Sequence, residues 1–177
     1  MRYWTADTHF NHRNIIRYCN RPFSSVEEMD DVLISNINSK VTESDSLIIG
    51  GDFVFQNKEK TIRYYIERIN CKNIILIWGN HDRKRNIRDY VGISEFHDVY
   101  DTTINGRSLF VCHYPIGDWP GRFRGGYHIH GHSHGNYTFP KGELAFDFGV
   151  DCTNFFPISD DEIEERMALI KSSSCQE

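Results

Sequence analysis

The chain has 177 residues, of which 25% are charged, and its 20 basic and 25 acidic side chains leave a formal net charge of −5. This length predicts one domain, and the longest apolar runs fall far short of the roughly 20 residues that span a bilayer. The composition argues against a membrane protein and a disordered chain, and the acidic balance argues against a protein that coats nucleic acid.

The cysteines and the N-terminus indicate the cellular compartment. The five cysteines are odd in number and form no C-x-x-C pair, which is typical of reduced thiols. The N-terminus lacks the apolar segment of a signal peptide, so we expect a cytoplasmic protein. We expect one domain over residues 1–171 and a flexible tail over residues 172–177.

The first half of the chain alternates strand and helix signals. Apolar runs predict strands over residues 2–6, 46–49 and 73–78. A short helix is predicted over residues 14–18, and a longer helix begins at Ser24 or Ser25, where the glutamates that follow complete a capping box. A third helix is predicted over residues 58–69. This β-α-β-α-β order predicts a parallel sheet.

The second half of the chain is mostly β. Asn105-Gly106 between two strand-like runs predicts a hairpin of strands 99–104 and 108–112 with a type I′ turn. Further strands are predicted over residues 128–129 and 144–150, and Ser159 with Glu162 predicts the start of a helix that ends near residue 170. These strands form either an antiparallel extension of the first sheet or a second sheet.

Polar side chains follow the predicted strands, at the points where the strands end. They are Asp7 and His9, Asp52, Asn80 and His81, His113, and His132 and His134. Ligands of such sheets sit beyond the carboxyl ends of the strands. None of these side chains is a cysteine, and oxygen and nitrogen donors suit hard or borderline divalent cations. So many donors exceed one tetrahedral zinc site, and they suit two adjacent cations that share a carboxylate.

The same residues form five motifs along the chain. In order they are Asp7-Thr8-His9, Gly51-Asp52, Gly79-Asn80-His81-Asp82, His113 and Gly131-His132-Ser133-His134. In these motifs, which span residues 7–134 or about three quarters of the chain, the sequence resembles the calcineurin-like metallophosphoesterases. Residues 9–16 and the compact length resemble the small phage and bacterial branch of that family. The resemblance implies a four-layer α/β/β/α sandwich, in which helices flank two mixed sheets.

The resemblance also implies a role for each motif residue. One cation would be held by Asp7, His9, Asp52 and His134, and the other by Asp52, Asn80, His113 and His132, with Asp52 as the bridge. A hydroxide between the cations would attack phosphorus, and His81 would protonate the leaving oxygen or bind a phosphate oxygen. Mn²⁺ is the expected metal, and Zn²⁺, Fe and Ni²⁺ also suit this donor set.

One position departs from the family pattern. Many members carry an acidic residue three positions after the G-D aspartate, where it orients the catalytic histidine, and this chain has Phe55 there. The resemblance therefore leaves the strength of His81 as a general acid open, while the predicted metal ligands are unaffected.

Basic residues near the motifs are candidate substrate contacts. Arg13 follows the first motif, Arg83 begins a basic run directly after the His81 motif, and Arg122 and Arg124 lie in a glycine-rich loop between two ligand-bearing strands. The expected substrate is a phosphorylated small molecule or a nucleotide, as a monoester or a diester. The basic run keeps nucleic acid among the partners, and no membrane partner is expected.

The predicted function is therefore hydrolysis of phosphate esters, with two groups of alternatives. A nuclease, nucleotide phosphodiesterase or pyrophosphatase of the same fold is one, and a metal-binding scaffold without catalysis is the other. Six further polar residues stand outside the ligand set. We expect surface or packing roles for His97, His128, His130, Asp147 and Asp151, while His12 is open between packing and facing the substrate.

Overall fold

The structure is a computed structural model that describes residues 1–55, 58–82 and 90–173. The strands and helices of these ranges are, in chain order, β1 (Arg2–Thr5), α1 (Arg13–Tyr18), α2 (Val26–Lys40), β2 (Ser46–Ile49), α3 (Glu59–Arg68), β3 (Asn73–Ile77), β4 (Glu95–His97), β5 (Val99–Ile104), β6 (Arg107–Cys112), β7 (Tyr127–His130), β8 (Ala145–Asp147), β9 (Ile158–Ser159) and α4 (Asp160–Ser173). Every predicted element is present, with ends that differ by a few residues.

Five strands form the first sheet, in the order β4-β3-β2-β1-β9. The first four are parallel to one another, and β9 runs antiparallel to β1. The parallel β1, β2 and β3 confirm the predicted β-α-β-α-β unit. The sequence does not predict β4 and β9, because strands of three and two residues are too short to carry a periodicity.

Four strands form the second sheet, in the order β5-β6-β7-β8. β5 and β6 are the predicted hairpin, and its Asn105 and Gly106 have φ values of 48° and 78°, both positive as a type I′ turn requires. β7 and β8 continue the sheet in parallel. The strand predicted over residues 144–150 is shorter than expected, because the chain turns into a 3₁₀ helix at Val150–Cys152.

The two faces of the first sheet bury two separate cores. Leu47 and Ile49 of β2 point to one face, where they pack with α1, α2 and α3. Ile48 points to the other face, toward the second sheet, and α4 adds Ile163 and Met167 to this inter-sheet core. The predicted α/β fold with two mixed sheets is confirmed; α1, α2 and α3 cover the outer face of the first sheet, and α4 packs into the inter-sheet core.

The outer face of the second sheet is covered by rings. His128 and His130 are buried there, and Trp119 and Phe139 from the segment between β6 and β8 pack against them. This packing agrees with the role expected for both histidines. α4 extends to Ser173, two residues into the predicted tail. None of the helices in the described ranges has the length and apolar character that a membrane crossing needs.

Candidate metal centre

Strands from both sheets end at one place, and the candidate ligands lie there. Asp7 and His9 follow β1, Asp52 follows β2, Asn80 and His81 follow β3, His113 follows β6, and His132 and His134 follow β7. Backbone hydrogen bonds continue beyond the strands, from the His9 N–H to the Asp52 carbonyl and from the Gly131 N–H to the His113 carbonyl. The structure therefore brings all seven predicted ligands and His81 together.

Asp7, His9 and His134 form the first group of donors. Each offers one ligand atom within 4.8 Å of the others. Asp7 and His9 are buried, and the ring of His134 stacks on that of His9 with 5.3 Å between the ring centroids. With Asp52 added, this group is the set that the resemblance implies for one cation.

Asp52, His113 and His132 form the second group, again within 4.8 Å of one another. Asn80 belongs with them, because its Oδ1 lies 2.9 Å from His113 Nε2 and 2.8 Å from His132 Nδ1. His113 donates its Nδ1–H to the carbonyl of Gly50, so its Nε2 faces the group. These four residues match the set implied for the other cation.

Asp52 lies between the two groups. Its Oδ2 is 3.5 Å from His9 Nε2 and 3.5 Å from His113 Nε2. Its Oδ1 accepts a hydrogen bond from the backbone N–H of His81. One carboxylate oxygen thus faces both groups while the other orients the G-N-H-D motif.

Two buried atoms of the first group lack any hydrogen-bond partner among the described residues, namely Asp7 Oδ1 and His9 Nε2. A buried polar atom without a partner costs about 1–3 kcal/mol. A carboxylate oxygen and a ring nitrogen are donors that Mn²⁺, Zn²⁺ and Fe²⁺ accept. The residues present therefore fit a divalent cation at this place.

Charge and burial shift the pKa values of these groups in opposite directions. Burial raises the pKa of Asp7 to about 7 and lowers that of His9 to about 3. Burial also lowers the pKa of His113, but the hydrogen bond with Asp52 and the charge of Asp7 outweigh it and raise this pKa to about 9. At neutral pH in the metal-free protein, a proton on His113 balances the buried carboxylates, and metal binding must displace it.

Five of the candidate ligands have left-handed backbones. The φ values are 55° for Asp7, 49° for His9, 52° for Asp52, 67° for His132 and 47° for His134. Non-glycine residues in this region cost about 1–3 kcal/mol each, and they cluster at functional sites where the surrounding structure holds them. The strain therefore supports a functional role for this set independently of its side-chain chemistry.

Two glycines let the ligand loops approach one another. A Cβ on Gly131 would lie 2.6 Å from Asp7 Oδ2, and one on Gly51 would lie 2.5 Å from His113 Nδ1. Gly51 also has φ of 97°, which side chains rarely adopt. Larger residues at either position would separate the loops of the two sheets.

Two buried carboxylates hold the loops that carry the candidate ligands by accepting hydrogen bonds from them. Asp82 accepts hydrogen bonds from the backbone N–H groups of Gly79, Asp52 and Phe53, and thereby joins the second and third motifs. Asp147 accepts from the Ser133 hydroxyl and the Gly135 N–H, and thereby holds the loop of the last motif. Burial raises the pKa of Asp82 to about 6.

Arg21 and Asp151 support the first group, although no sequence motif marks either residue as part of the site. Asp151 Oδ2 accepts the Nδ1–H of His134 at 2.7 Å, and both of its oxygens pair with the Arg21 guanidinium at 2.8 Å. The fully buried Arg21 also donates to the carbonyls of Asp7 and Thr8. A carboxylate of this kind fixes the tautomer of a metal-binding histidine, leaving Nε2 for the metal.

The position of Asp151 fits the rule that identified the candidate ligands, namely that functional side chains follow the carboxyl ends of the strands. Asp147 ends β8, and Asp151 follows it at the same edge of the sheet, so the structural role expected for both extends to holding the ligand loops. Arg21 carries no comparable signal, because it lies 130 positions from its partner and belongs to no motif.

His81 lies at the mouth of the site. Its Nε2 is 3.9 Å from Asp52 Oδ2, and 43% of its side chain is exposed. Phe55 cannot orient His81 as a carboxylate would, and its ring centroid is 6.3 Å from that of His81. The phenyl ring stacks instead on His12, with 3.9 Å between the centroids and 7° between the planes.

Two of the predicted substrate contacts, Arg122 and Arg124, lie away from the site. Arg122 pairs with Glu143, and Arg124 lines a surface cavity beside the β5–β6 turn, near the first residues of β6. The start of this six-residue strand is about 17 Å from its carboxyl end, at about 3.3 Å for each residue-to-residue step. Arg13 lines a shallow cavity with residues at the start of α2. Arg83 lies outside the described residues.

The two-sheet fold and the meeting of the five motifs at one site agree with the resemblance to the calcineurin-like metallophosphoesterases that the motifs indicate.

Comparisons with other proteins add a closer relationship. The chain is 38% identical over 168 residues to an uncharacterized protein of Methanocaldococcus jannaschii, covering 91% of this chain and 88% of that protein, and it belongs to the same family. No family model matches it. A solved protein of unknown function from Aquifex aeolicus, 24% identical, shares the fold with a TM-score of 0.69 over 94% of this chain and 98% of that one. YfcE, a phosphoesterase from E. coli, gives a TM-score of 0.48 at 18% identity over 84% of this chain and 77% of its own.

Proposed function

We propose that this protein is a metal-dependent phosphoesterase that hydrolyses phosphate mono- or diesters with two divalent cations. The observation that carries the proposal is the position of Asp52 Oδ2, 3.5 Å from ring nitrogens of both His9 and His113. Two groups of donors on either side of one carboxylate suit a pair of cations. The buried atoms without partners, Asp7 Oδ1 and His9 Nε2, support it.

The two cations would be held by the sets that the motifs indicate. Asp7, His9, Asp52 and His134 would hold one, and Asp52, Asn80, His113 and His132 the other. Bound divalent cations supply Lewis acidity toward phosphoryl oxygens and lower the pKa of water at the site. We propose Mn²⁺ as the metal, because the oxygen and nitrogen donors of the two sets accept it.

His81 would act on the substrate directly. Its backbone N–H donates to Asp52 Oδ1 at 2.8 Å. Its half-exposed ring lies beside the two groups, with Nε2 3.9 Å from Asp52 Oδ2. From there the imidazole gives a proton to the leaving oxygen or donates a hydrogen bond to a phosphate oxygen.

We propose a phosphorylated small molecule or a nucleotide as the substrate. Arg122 and Arg124 lie away from the site, so they do not extend it into a basic surface of the kind that binds nucleic acid. The basic run that begins at Arg83 lies outside the described residues. A scaffold without catalysis would be expected to have lost ligand residues, and all seven are present. The cysteines of the described residues are free, which supports the proposed cytoplasmic location.

Hydrolysis of p-nitrophenyl phosphate and bis-p-nitrophenyl phosphate tests the proposal. Chelator-treated protein should be inactive on both, and added Mn²⁺ should restore hydrolysis of at least one. The His97→Gln variant serves as a control, because the His97 side chain bonds to Glu95 and belongs to neither group of candidate ligands, so its loss should leave activity unchanged. Protein that binds no metal and hydrolyses neither ester would refute the proposal.

A further inference from the structure

His12 lies against a candidate ligand without being one itself. It is 7% exposed, and its Nδ1 is 3.4 Å from Nδ1 of His9. The other nitrogen of His9, Nε2, faces Asp52 Oδ2 at 3.5 Å and has no hydrogen-bond partner among the described residues. His9 thus presents one nitrogen to the candidate metal centre and the other to His12.

The ring of His12 is held in this position by two neighbours. Phe55 stacks flat against it, with 3.9 Å between the centroids and 7° between the planes. The backbone of Phe55 is itself fixed, because its N–H donates to the carbonyl of Phe10, next to His9. The His12 N–H donates to the His9 carbonyl and turns the chain so that the two imidazoles meet.

The facing nitrogens restrict where the hydrogens of the two rings lie. A neutral imidazole carries a hydrogen on one nitrogen only, so one of the two Nδ1 atoms must donate. If His12 donates, the hydrogen of His9 is on Nε2 and blocks that atom from binding a cation. If His9 donates, its Nε2 keeps a free lone pair directed at the centre.

We propose that His12 is a positioning residue that accepts the Nδ1–H of His9 and so directs the His9 Nε2 lone pair to the metal, while Phe55 holds His12 in place by stacking. The inference rests on the proposed function, since it takes His9 as a metal ligand. Ligating histidines usually donate their second N–H to a carboxylate, a carbonyl or a water. For His134 this acceptor is Asp151 and for His113 it is the Gly50 carbonyl, whereas His9 has His12.

Three variants separate an acceptor from a packing role. His12→Phe keeps a ring against Phe55 and removes the acceptor, whereas His12→Asn restores an acceptor oxygen near the position of Nδ1. Phe55→Leu removes the stacking partner and leaves His12. His97→Phe is the matched control at a histidine outside the site.

The measurement is Zn²⁺ affinity, by competition with a fluorescent chelator. Loss of the acceptor should weaken binding about 10- to 100-fold in His12→Phe, His12→Asn should stay within about threefold of the wild type, and Phe55→Leu should fall between them. Equal binding by His12→Phe and wild type would overturn the inference, as would an equal loss in His12→Asn and His12→Phe, which would indicate packing alone.

A second measurement needs no variant. Long-range ¹H–¹⁵N correlation spectra of the Zn²⁺-loaded wild type should show the His9 hydrogen on Nδ1, and a hydrogen on Nδ1 of His12 would overturn the inference. Wild-type protein that binds Zn²⁺ with the other tautomer contradicts only this inference. Wild-type protein that binds no metal and has no hydrolytic activity contradicts the proposed function together with it.

Discussion

Replacement of Asp151 by asparagine removes a charge behind His134 while nearly preserving the shape of the side chain. The Asp151 oxygens accept hydrogen bonds from the Arg21 guanidinium at 2.8 Å, and Oδ2 also accepts the Nδ1–H of His134 at 2.7 Å. An asparagine has one acceptor oxygen, so Arg21 or His134 would face an amide N–H₂ group in the variant. The buried Arg21 would also lose its counter-charge, which we expect to cost about 3 kcal/mol of stability.

The effect on metal binding follows from the pKa of His134. Burial lowers this pKa, but the hydrogen bonds to Asp151 and Cys19 and the charge of Asp7 together outweigh burial and raise it to about 10, against 6.5 for an ordinary histidine. At about 1.4 kcal/mol per pH unit, the difference is about 5 kcal/mol in favour of the protonated ring, and Asp151 is its largest source. In Asp151→Asn the pKa should fall toward 6.5, so that His134 is mostly neutral at pH 7.5.

Calorimetric titration with Zn²⁺ at pH 7.5, in buffers of different ionisation enthalpy, counts the protons that leave as metal binds. The wild type should release about two, from His134 and from His113, whose pKa is about 9, because both rings must be neutral to bind a cation. Asp151→Asn should release about one. Glu143→Gln, which breaks the Arg122 pair far from the site, should behave as the wild type does. An unchanged proton count in Asp151→Asn would refute the reasoning.

Four further outcomes are expected. Asp52→Asn should lose essentially all hydrolysis of p-nitrophenyl phosphate, and activity within tenfold of the wild type would contradict a shared carboxylate. His81→Gln should lower turnover about 10²- to 10⁴-fold with metal stoichiometry unchanged, and loss of a metal would show that His81 is a ligand. Asp82→Ala should lower the free energy of unfolding by about 3 kcal/mol in denaturant titrations, because three backbone N–H groups lose their acceptor, whereas the exposed Asp161→Ala should change it little. The metal-free protein should lose thermal stability as pH rises from about 6.5 through 9, since His113 has a higher pKa when folded than when unfolded; an unchanged Tm over this range would contradict that shift.

Local signals in the sequence predict much of the fold correctly. Ser159 and Glu162 form the predicted capping box in both directions, each side chain bonding the other's backbone N–H at 3.2 Å and 2.7 Å. The turn at Asn105-Gly106 has the predicted sign of φ at both positions. These features depend on residues within four positions of one another, so a short stretch of sequence contains all the information they need.

The sequence by itself determined which side chains meet at the centre, because parallel strands carry whatever follows them to one edge of the sheet. It did not determine how those side chains are held. The left-handed backbones of Asp7 and His9 are locally unfavourable, and contacts made by the whole fold maintain them. The Arg21–Asp151 pair joins residues 130 positions apart, and the stack of His12 on Phe55 replaces the acidic group that the family pattern suggests. Such contacts arise only when two sheets and their loops are packed together, which is why the tertiary structure alone decided them.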